Sequence, residues 1–303
     1  MMETVQKYVD QAGTLRSLSG RLTGQDKVAV PGKKTTRVIS VTSGKGGVGK
    51  TAVVSNMAVS LARLGKKVLI IDADLGLANV DVVFGLAPRY NLNHFFAGEQ
   101  SLQDIMVEGP AGIHILPAGS GVQKFTRLDS SQKMRFMDDL DNLHGEFDIV
   151  LIDTEAGISE NVTYFNVAAQ DILVVTTPEP TAITDAYALM KLLSIQYHEK
   201  RFNLIVNSVR NNDEALDVYR KLTMVSGRYL DISIDFLGGI PFDRRMHEAV
   251  RRQRVMVELF PTTKVSAAFE SLAGQLTSGT REAQAKGSLQ FFWKKLMSFG
   301  SGG

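Results

Sequence analysis

The segment VTSGKGGVGKT, from Val41 to Thr51, limits the fold of this chain more than any other part of the sequence. Gly44, Gly49, Lys50 and Thr51 match the pattern G-x-x-x-x-G-K-[ST], which is typical of a phosphate-binding loop. A β-branched run, RVISVTS, leads into the loop, and a helical pattern follows it. Backbone N–H groups of such a loop and the positive end of the helix surround a phosphate. The alternative is a glycine-rich turn that binds nothing, but the flanking strand and helix favour the phosphate loop.

Strands alternate with helices along the rest of the sequence, which predicts an α/β fold. The run KKVLIIDAD would complete a βαβ unit with the first strand and its helix. Further apolar or β-branched runs predict strands at Ile113–Pro117, FDIVLIDT, ILVVTTP, FNLIVNS and DFLGGIP. Helical periodicity predicts helices at Lys50–Leu64, Ser130–Leu143, Thr184–Tyr197 and Val265–Leu276. We therefore expect one doubly wound, mostly parallel sheet with helices on both faces, spanning residues 37–278.

Composition excludes several kinds of site. The chain has 303 residues and no cysteine, so disulfides, thiolate catalysis and cysteine-ligated metal centres are all excluded. The net charge is only +2, so binding to nucleic acid would require a local basic surface. No apolar run has the length of a membrane-spanning helix, and the N-terminus lacks a signal-peptide pattern. We expect a cytoplasmic protein.

Three carboxylates follow buried runs at positions that suit a magnesium–nucleotide site. Asp72 and Asp74 come at the end of the second strand, and Asp153 ends the run FDIVLID. In an open α/β sheet, ligands bind at the carboxyl ends of the strands. Lys50 is expected to contact the β- and γ-phosphates, with the Thr51 hydroxyl on Mg²⁺. Ordinary capping of a strand end is the alternative explanation for a single aspartate of this kind. It explains three such aspartates together less well.

The loop carries a second lysine, Lys45, directly after its first glycine. With this early lysine, SGKGGVGKT resembles the deviant phosphate loop of the MinD/ParA group of ATPases. The resemblance implies that ATP/ADP and Mg²⁺ are the cofactors and that an ATP-bound homodimer forms. In that group the early lysine reaches the phosphates of the ATP that the partner subunit holds. A solvated loop lysine is the alternative interpretation.

The same resemblance assigns roles to individual residues. It implies that Asp74 orients the attacking water with support from Asp72, that Asn79 lies near the dimer interface, and that Lys45 and Lys50 stabilise the transferring phosphoryl group. Mg²⁺ would be held by Thr51, Asp74 and Asp153. The implied nucleotide contacts are Gly44, Gly46, Gly47, Val48, Gly49, Lys50, Thr51 and Ala52 at the phosphates, and Asn207 and Pro241 at the adenine.

Two residues depart from the pattern of the group. Ala52 replaces a hydroxyl residue that often follows the loop threonine. Glu155, in the segment DTEAG, stands where the group usually has a small residue or proline close to the γ-phosphate. A carboxylate that points inward would repel the phosphate, whereas one that points outward would have no effect on it. The sequence leaves both orientations open.

An N-terminal arm and linker, residues 1–36, carry the first feature that separates this chain from division-site MinD. The segment DQAGTLR resembles the N-terminal motif through which the flagellar FlhG/FleN (YlxH) family stimulates the GTPase FlhF. The implied partner-binding residues are Asp10, Gln11, Ala12, Leu15 and Arg16. The alternative is an amphipathic helix that docks on its own domain.

The C-terminal segment, residues 279–303, ends in an amphipathic pattern that resembles the membrane-targeting helix of the same family. Its apolar face consists of Leu289, Phe292, Trp293, Leu296 and Phe299. Such residues enter the headgroup boundary while neighbouring lysines meet anionic lipid. A helix packed on the core of its own domain is the alternative, and both states could exchange.

Together these features predict a slow, dimer-dependent ATPase that shuttles to the inner face of the cytoplasmic membrane and regulates flagellar number or placement. The implied partners are FlhF, flagellar switch-ring (C-ring) proteins and, in some bacteria, a flagellar transcription activator. A ParA-type partition ATPase, a MinD-type division-site ATPase and a weakly hydrolysing nucleotide-gated scaffold are the alternatives. The basic segment RRMHEAVRRQR (244–254) favours a solvated helix face over DNA binding, because no DNA-reading motif accompanies it.

Overall fold

The computed structural model describes residues 36–74, 79–119, 131, 132, 135, 136, 139, 143 and 145–278. Eight strands lie within these residues. They are β1 (Arg37–Ser43), β2 (Val68–Ala73), β3 (Val107–Glu108), β4 (His114–Leu116), β5 (Ile149–Ala156), β6 (Asp171–Thr176), β7 (Arg201–Val209) and β8 (Ser233–Pro241). Each strand predicted from the sequence is present, with bounds that differ by a few residues.

The helices of the described residues follow the predicted alternation and add several short ones. In the helix predicted at Ser130–Leu143, residues 131, 132, 135, 136 and 139 are helical, residue 143 lies in a turn, and the others lie outside the described residues. In chain order, the remaining α-helices are α1 (Lys50–Arg63), α2 (Val80–Val83), α3 (Leu92–Phe96), α4 (Leu102–Ile105), α5 (Glu160–Ala168), α6 (Pro180–Tyr197), α7 (Asn212–Tyr229), α8 (Arg244–Arg251), α9 (Met256–Leu259) and α10 (Lys264–Ser278). None of the helices in this part of the chain combines the length and apolar character needed to cross a bilayer.

The described strands form one sheet in the order β3-β4-β2-β5-β1-β6-β7-β8. Neighbouring strands are parallel throughout, except that the two-residue β3 pairs antiparallel with β4. The prediction of a doubly wound, mostly parallel sheet is therefore confirmed. Because β1 lies between β5 and β6, the carboxyl ends of the three strands open beside one another, where α/β sheets bind ligands.

Helices cover both faces of this sheet, which explains the continuous apolar runs of the central strands. The buried side chains of α1, α9 and α10 share one core with Ile39 and Val41 of β1. On the opposite face, Val38 of β1 packs in a core with α3, α4 and α5, and a third core joins α5, α6 and α7 to β6 and β7. A strand buried on both faces has no polar alternation, as parallel sheets generally show.

Candidate active site

The predicted phosphate loop lies between β1 and α1, as its pattern requires. Gly49 is the N-cap of α1 and adopts φ 84°, and Gly47 adopts φ 81°. L side chains rarely take these angles, so glycine is needed at both positions. No side chain caps the start of α1. The first N–H groups of a helix have no intrahelical partner, so this end of α1 can bind an anion.

The first glycine of the loop is needed for a different reason, which is close contact with α6. A Cβ atom added to Gly44 would lie 2.1 Å from the backbone oxygen of Asp185 and 2.6 Å from the nitrogen of Ala186. The loop therefore rests directly on the backbone of α6. At Gly46 the nearest atom to such a Cβ is the Cβ of Ala156 at 4.0 Å, an ordinary contact.

This difference predicts that the same substitution has a large effect on stability at Gly44 and a small one at Gly46. Gly44→Ala is expected to lower the free energy of unfolding by about 3 kcal/mol, because α6 or the loop must shift to admit the methyl group. Gly46→Ala is expected to change it by less than about 0.5 kcal/mol. Urea unfolding of both variants without nucleotide measures the two values. Equal effects would show that contact with α6 does not explain the first glycine.

Lys50 and Asp153 form a buried ion pair at the floor of the loop. The distance from Lys50 Nζ to Asp153 Oδ1 is 2.5 Å, and the side chains are 8% and 1% exposed. Burial raises the pKa of the Asp153 carboxyl, whereas Lys50 and the Thr51 hydroxyl act to lower it. The pair holds the lysine beside the phosphate loop and gives its charge a partner inside the protein.

Asp72 anchors the chain on both sides of the segment that follows β2. Its Oδ1 accepts a hydrogen bond from the N–H of Asp74 at 3.1 Å, and its Oδ2 accepts from those of Asn79 at 3.1 Å and Val80 at 3.2 Å. Burial and the neighbouring carboxylate of Asp153 raise the pKa of Asp72 to about 7, although the three N–H groups act to lower it. The carboxyl group thus acts on the backbone around Asp74, and the catalytic supporting role of Asp72 stays a prediction.

The oxygen groups at this edge suit Mg²⁺ together with a phosphate. Asp72 and Asp153 occupy paired positions on β2 and β5, and the charge of Asp74 acts on Asp153. Within the described residues no three His, Asp or Glu side chains converge to hold a metal ion by themselves. Mg²⁺ is usually held by one or two carboxylates plus substrate phosphates, so Thr51, Asp74 and Asp153 fit a magnesium–nucleotide complex better than a free ion.

Lys45, the early lysine, is held away from Lys50 by residues that the sequence analysis did not identify. Its Nζ donates to Thr181 Oγ1 at 2.9 Å and pairs with Glu179 Oε2 at 3.1 Å. Glu179 is the N-cap residue of α6, and the Lys45 side chain is 40% exposed. The segment EPT, an acid before a proline that begins a helix, was the available signal for such a partner.

Glu155 turns toward the start of α5. Its Oε2 accepts a hydrogen bond from Ser159 Oγ at 3.1 Å, and Ser159 is the N-cap of α5. The salt bridge of Lys50 goes to Asp153. Of the two orientations that the sequence left open, the structure thus has the carboxylate engaged with the adjacent helix end.

The two predicted adenine residues end neighbouring strands. Asn207 lies near the end of β7 and donates a hydrogen bond from Nδ2 to the carbonyl oxygen of Val48 in the phosphate loop, at 2.8 Å. Pro241 is the last residue of β8 and pairs in register with Val209. The partner-binding segment predicted at 10–16 and the membrane helix predicted at 289–299 lie outside the described residues.

Comparison with known proteins agrees with this geometry. The AAA domain family matches residues 36–206. The antiactivator FleN of Pseudomonas aeruginosa is 42% identical over 261 residues, which cover 86% of this chain and 93% of FleN. The flagellum site-determining protein YlxH of Helicobacter pylori is 34% identical, with 88% of this chain and 92% of YlxH covered.

A solved structure supports the same assignment. The septum site-determining protein MinD of Pyrococcus horikoshii, complexed with Mg-ADP, matches with a TM-score of 0.64 and 27% identity. The match covers 83% of this chain and 99% of that one. The chain therefore belongs to the MinD/ParA group of phosphate-loop ATPases and, within that group, to the FlhG/FleN (YlxH) family.

Proposed function

We propose that this ATPase is a nucleotide-dependent switch that regulates flagellar number or placement, with an ATP-bound homodimer as its active form. The flagellar role is supported by the relative YlxH, a flagellum site-determining protein, and the antiactivator FleN belongs to the same family. The position of Lys45 carries the dimer part of the proposal.

Lys45 contacts α6 of its own chain, whereas Lys50 contacts Asp153 beneath the loop. One chain therefore directs two loop lysines to different places. A lysine held at an exposed rim by a glutamate and a threonine can leave at low cost, because exposed ion pairs contribute only about 0–1 kcal/mol. In a face-to-face dimer it would exchange these partners for the phosphates bound by the other subunit.

The remaining site residues then act by position and charge. Lys50 and the N–H groups at the start of α1 bind the phosphates, Thr51, Asp74 and Asp153 would hold Mg²⁺, and Asp74 also orients the attacking water. Bound Mg²⁺ neutralises charge on the phosphate oxygens. Catalysis of this kind depends on placement and electrostatic stabilisation, with a lysine from the partner acting as an arginine finger does elsewhere.

Membrane shuttling, stimulation of FlhF through residues 10–16, and binding to switch-ring proteins or a transcription activator belong to the same proposal. They rest on the sequence resemblance of the two terminal segments. Dimerisation would present two copies of the segment at 289–299 on one particle. Two weak membrane contacts on one particle bind far more strongly than one.

The charge pattern of α8 argues against DNA as the principal partner. Five arginines lie between residues 244 and 254. Three of these pair with nearby carboxylates, in the pairs Arg245–Asp243, Arg252–Glu248 and Arg254–Glu258. Neutralised arginines release fewer counterions from DNA, so they contribute less to non-specific binding.

The solution mass in ADP and in ATP tests the proposed switch. We expect a monomer with Mg²⁺–ADP and a dimer with Mg²⁺–ATP for Asp74→Ala, because loss of the water-orienting carboxylate slows hydrolysis and traps the ATP state. Adding Lys45→Ala to that variant should return it to a monomer. A chain that stays monomeric with every nucleotide would remove the explanation offered for the early lysine.

A further inference from the structure

A single side-chain amide joins the phosphate loop to β7, two strands away from β1 in the sheet. Asn207 Nδ2 donates to the Val48 carbonyl oxygen at 2.8 Å, and Asn207 Oδ1 accepts from the backbone N–H of Ser208 at 2.9 Å. Since the oxygen of the amide is engaged by an N–H donor, its nitrogen is the end that faces Val48. Both ends of the amide are thereby fixed in direction.

The backbone of β7 is shaped to present this amide. Ser208 adopts φ 58°, in the left-handed region, and the register between β7 and β8 shifts between Asn207 and Val209. A non-glycine residue in this region costs about 1–2 kcal/mol. The irregularity lies at the residue whose N–H donates to the Asn207 side chain, so the strained backbone and the fixed amide occur at the same point of β7.

On the phosphate-loop side of this contact, Gly49 lies close against the Asn207 amide. A Cβ atom on Gly49 would lie 2.5 Å from Asn207 Nδ2. Gly49 is also the N-cap of α1, and no side chain caps that helix. The Asn207 amide therefore packs at the point where the loop turns into the helix, and holds a carbonyl group one residue before that turn.

The planarity of the peptide bond converts this contact into control of the loop. The Val48 carbonyl and the Gly49 N–H belong to one trans peptide unit, so they point in opposite directions. When Asn207 holds the carbonyl toward β7, the Gly49 N–H is directed to the other side, into the loop. That N–H is one of the donors from which a phosphate loop builds its anion site.

We infer that Asn207 is a positioning residue for the phosphate loop. It orients the Val48–Gly49 peptide for phosphate binding, whether or not the bound phosphate carries a nucleobase. The inference deepens the nucleotide-binding role of this ATPase and does not depend on the proposed dimer, membrane or flagellar functions. A residue that contacted only the nucleobase would affect the binding of nucleotides but not of phosphates without a nucleobase. Binding measurements with both kinds of ligand distinguish the two roles.

Calorimetric titration with inorganic pyrophosphate and with ADP, both with Mg²⁺, tests the inference on the full chain. Asn207→Ala is expected to weaken the binding of both ligands by a similar factor of about 3 to 10, because each loses the same hydrogen-bonded loop geometry. Asn207→Asp keeps an acceptor for Ser208 but cannot donate to Val48. It should weaken both ligands further, because its charge repels phosphate.

Asn212→Ala is the matched control, because Asn212 is exposed at the start of α7 on the helix that follows β7. It should bind both ligands as the wild type does. Weaker ADP binding with unchanged pyrophosphate binding in both Asn207 variants would overturn the inference and leave only a base contact. Wild-type protein that binds neither ligand would instead contradict the nucleotide site itself. Far-ultraviolet circular dichroism of each variant confirms that it is folded.

Discussion

Replacing Lys50 with alanine is expected to lower ATP turnover by at least about a thousandfold and to destabilise the nucleotide-free domain by about 3 kcal/mol at pH 8. The first effect follows from loss of the charge that binds the β- and γ-phosphates. The second follows from the partner that remains, since Asp153 is 1% exposed and, without Lys50, must either stay charged without a cation or take up a proton, and both cost free energy. A buried charge without a partner costs more than the pair contributes.

A double-substitution cycle of Lys50→Met, Asp153→Asn and their combination separates these two effects. Asp153→Asn alone leaves the Lys50 ammonium buried without a carboxylate, and it should also destabilise the domain. Lys50→Met combined with Asp153→Asn removes both charges and should recover most of the lost stability, while turnover stays abolished. Urea unfolding and a phosphate-release assay measure the two properties on the same samples.

The control is a lysine–aspartate pair of similar length on the surface. Lys200 Nζ lies 2.6 Å from Asp231 Oδ2, but the side chains are 54% and 96% exposed. Lys200→Ala should change the free energy of unfolding by less than about 1 kcal/mol and leave turnover unaltered. If Lys50→Ala proved no more destabilising than Lys200→Ala, the buried pair would not contribute to stability as its geometry indicates.

The fold and the phosphate loop were predictable because their signals are local. The loop pattern needs a strand on one side and a helix on the other, and RVISVTS and the helix that starts at Lys50 supply them. Buried parallel strands give continuous apolar runs, so β5, β6 and β7 were recognised within a few residues. Asp72 and Asp153 were noted as strand-end carboxylates, and they pair in register on β2 and β5.

The contacts of the site that were missed join residues that are distant in sequence. Lys45 bonds to Glu179 and Thr181, more than 130 residues later in the chain. The contact of Gly44 with the backbone of Asp185 depends on how closely α6 approaches β1. No local pattern encodes such a distance. The short helices α2, α3, α4 and α9 were also missed, because four or five residues are too few for helical periodicity to be recognised.

The electrostatic state of Asp72 was likewise beyond sequence analysis, and it makes the stability of the nucleotide-free protein depend on pH. Burial and the charge of Asp153 raise the pKa of Asp72 to about 7, from an ordinary value of 3.8. Between these two values the folded chain binds a proton at Asp72 that the unfolded chain does not. The free energy of unfolding therefore falls as the pH rises through this window, by at most about 1.4 kcal/mol per pH unit.

Asp72→Asn removes this titration. The free energy of unfolding of the variant, relative to that of the wild type, is therefore expected to increase with pH. The difference in free energy of unfolding, variant minus wild type, should rise by about 1 kcal/mol per pH unit between pH 5 and 7 and level off above pH 8. The slope is the test, because an amide in place of the carboxylate also weakens the hydrogen bonds to Asp74, Asn79 and Val80, which shifts the difference by a constant amount.

Urea unfolding at pH 5, 6, 7 and 8 without nucleotide or Mg²⁺ measures this slope. Asp104→Asn is the control, since hydrogen bonds from Ser101 lower the pKa of that exposed carboxyl and keep its titration below the window. Its difference from the wild type should stay flat. A flat difference for Asp72→Asn as well would mean that Asp72 is already ionised at pH 5, and that the three N–H groups outweigh its burial and the charge of Asp153. A rising difference would show that the backbone at Asp74, Asn79 and Val80 is anchored by a carboxyl group whose ionisation costs free energy in the nucleotide-free protein.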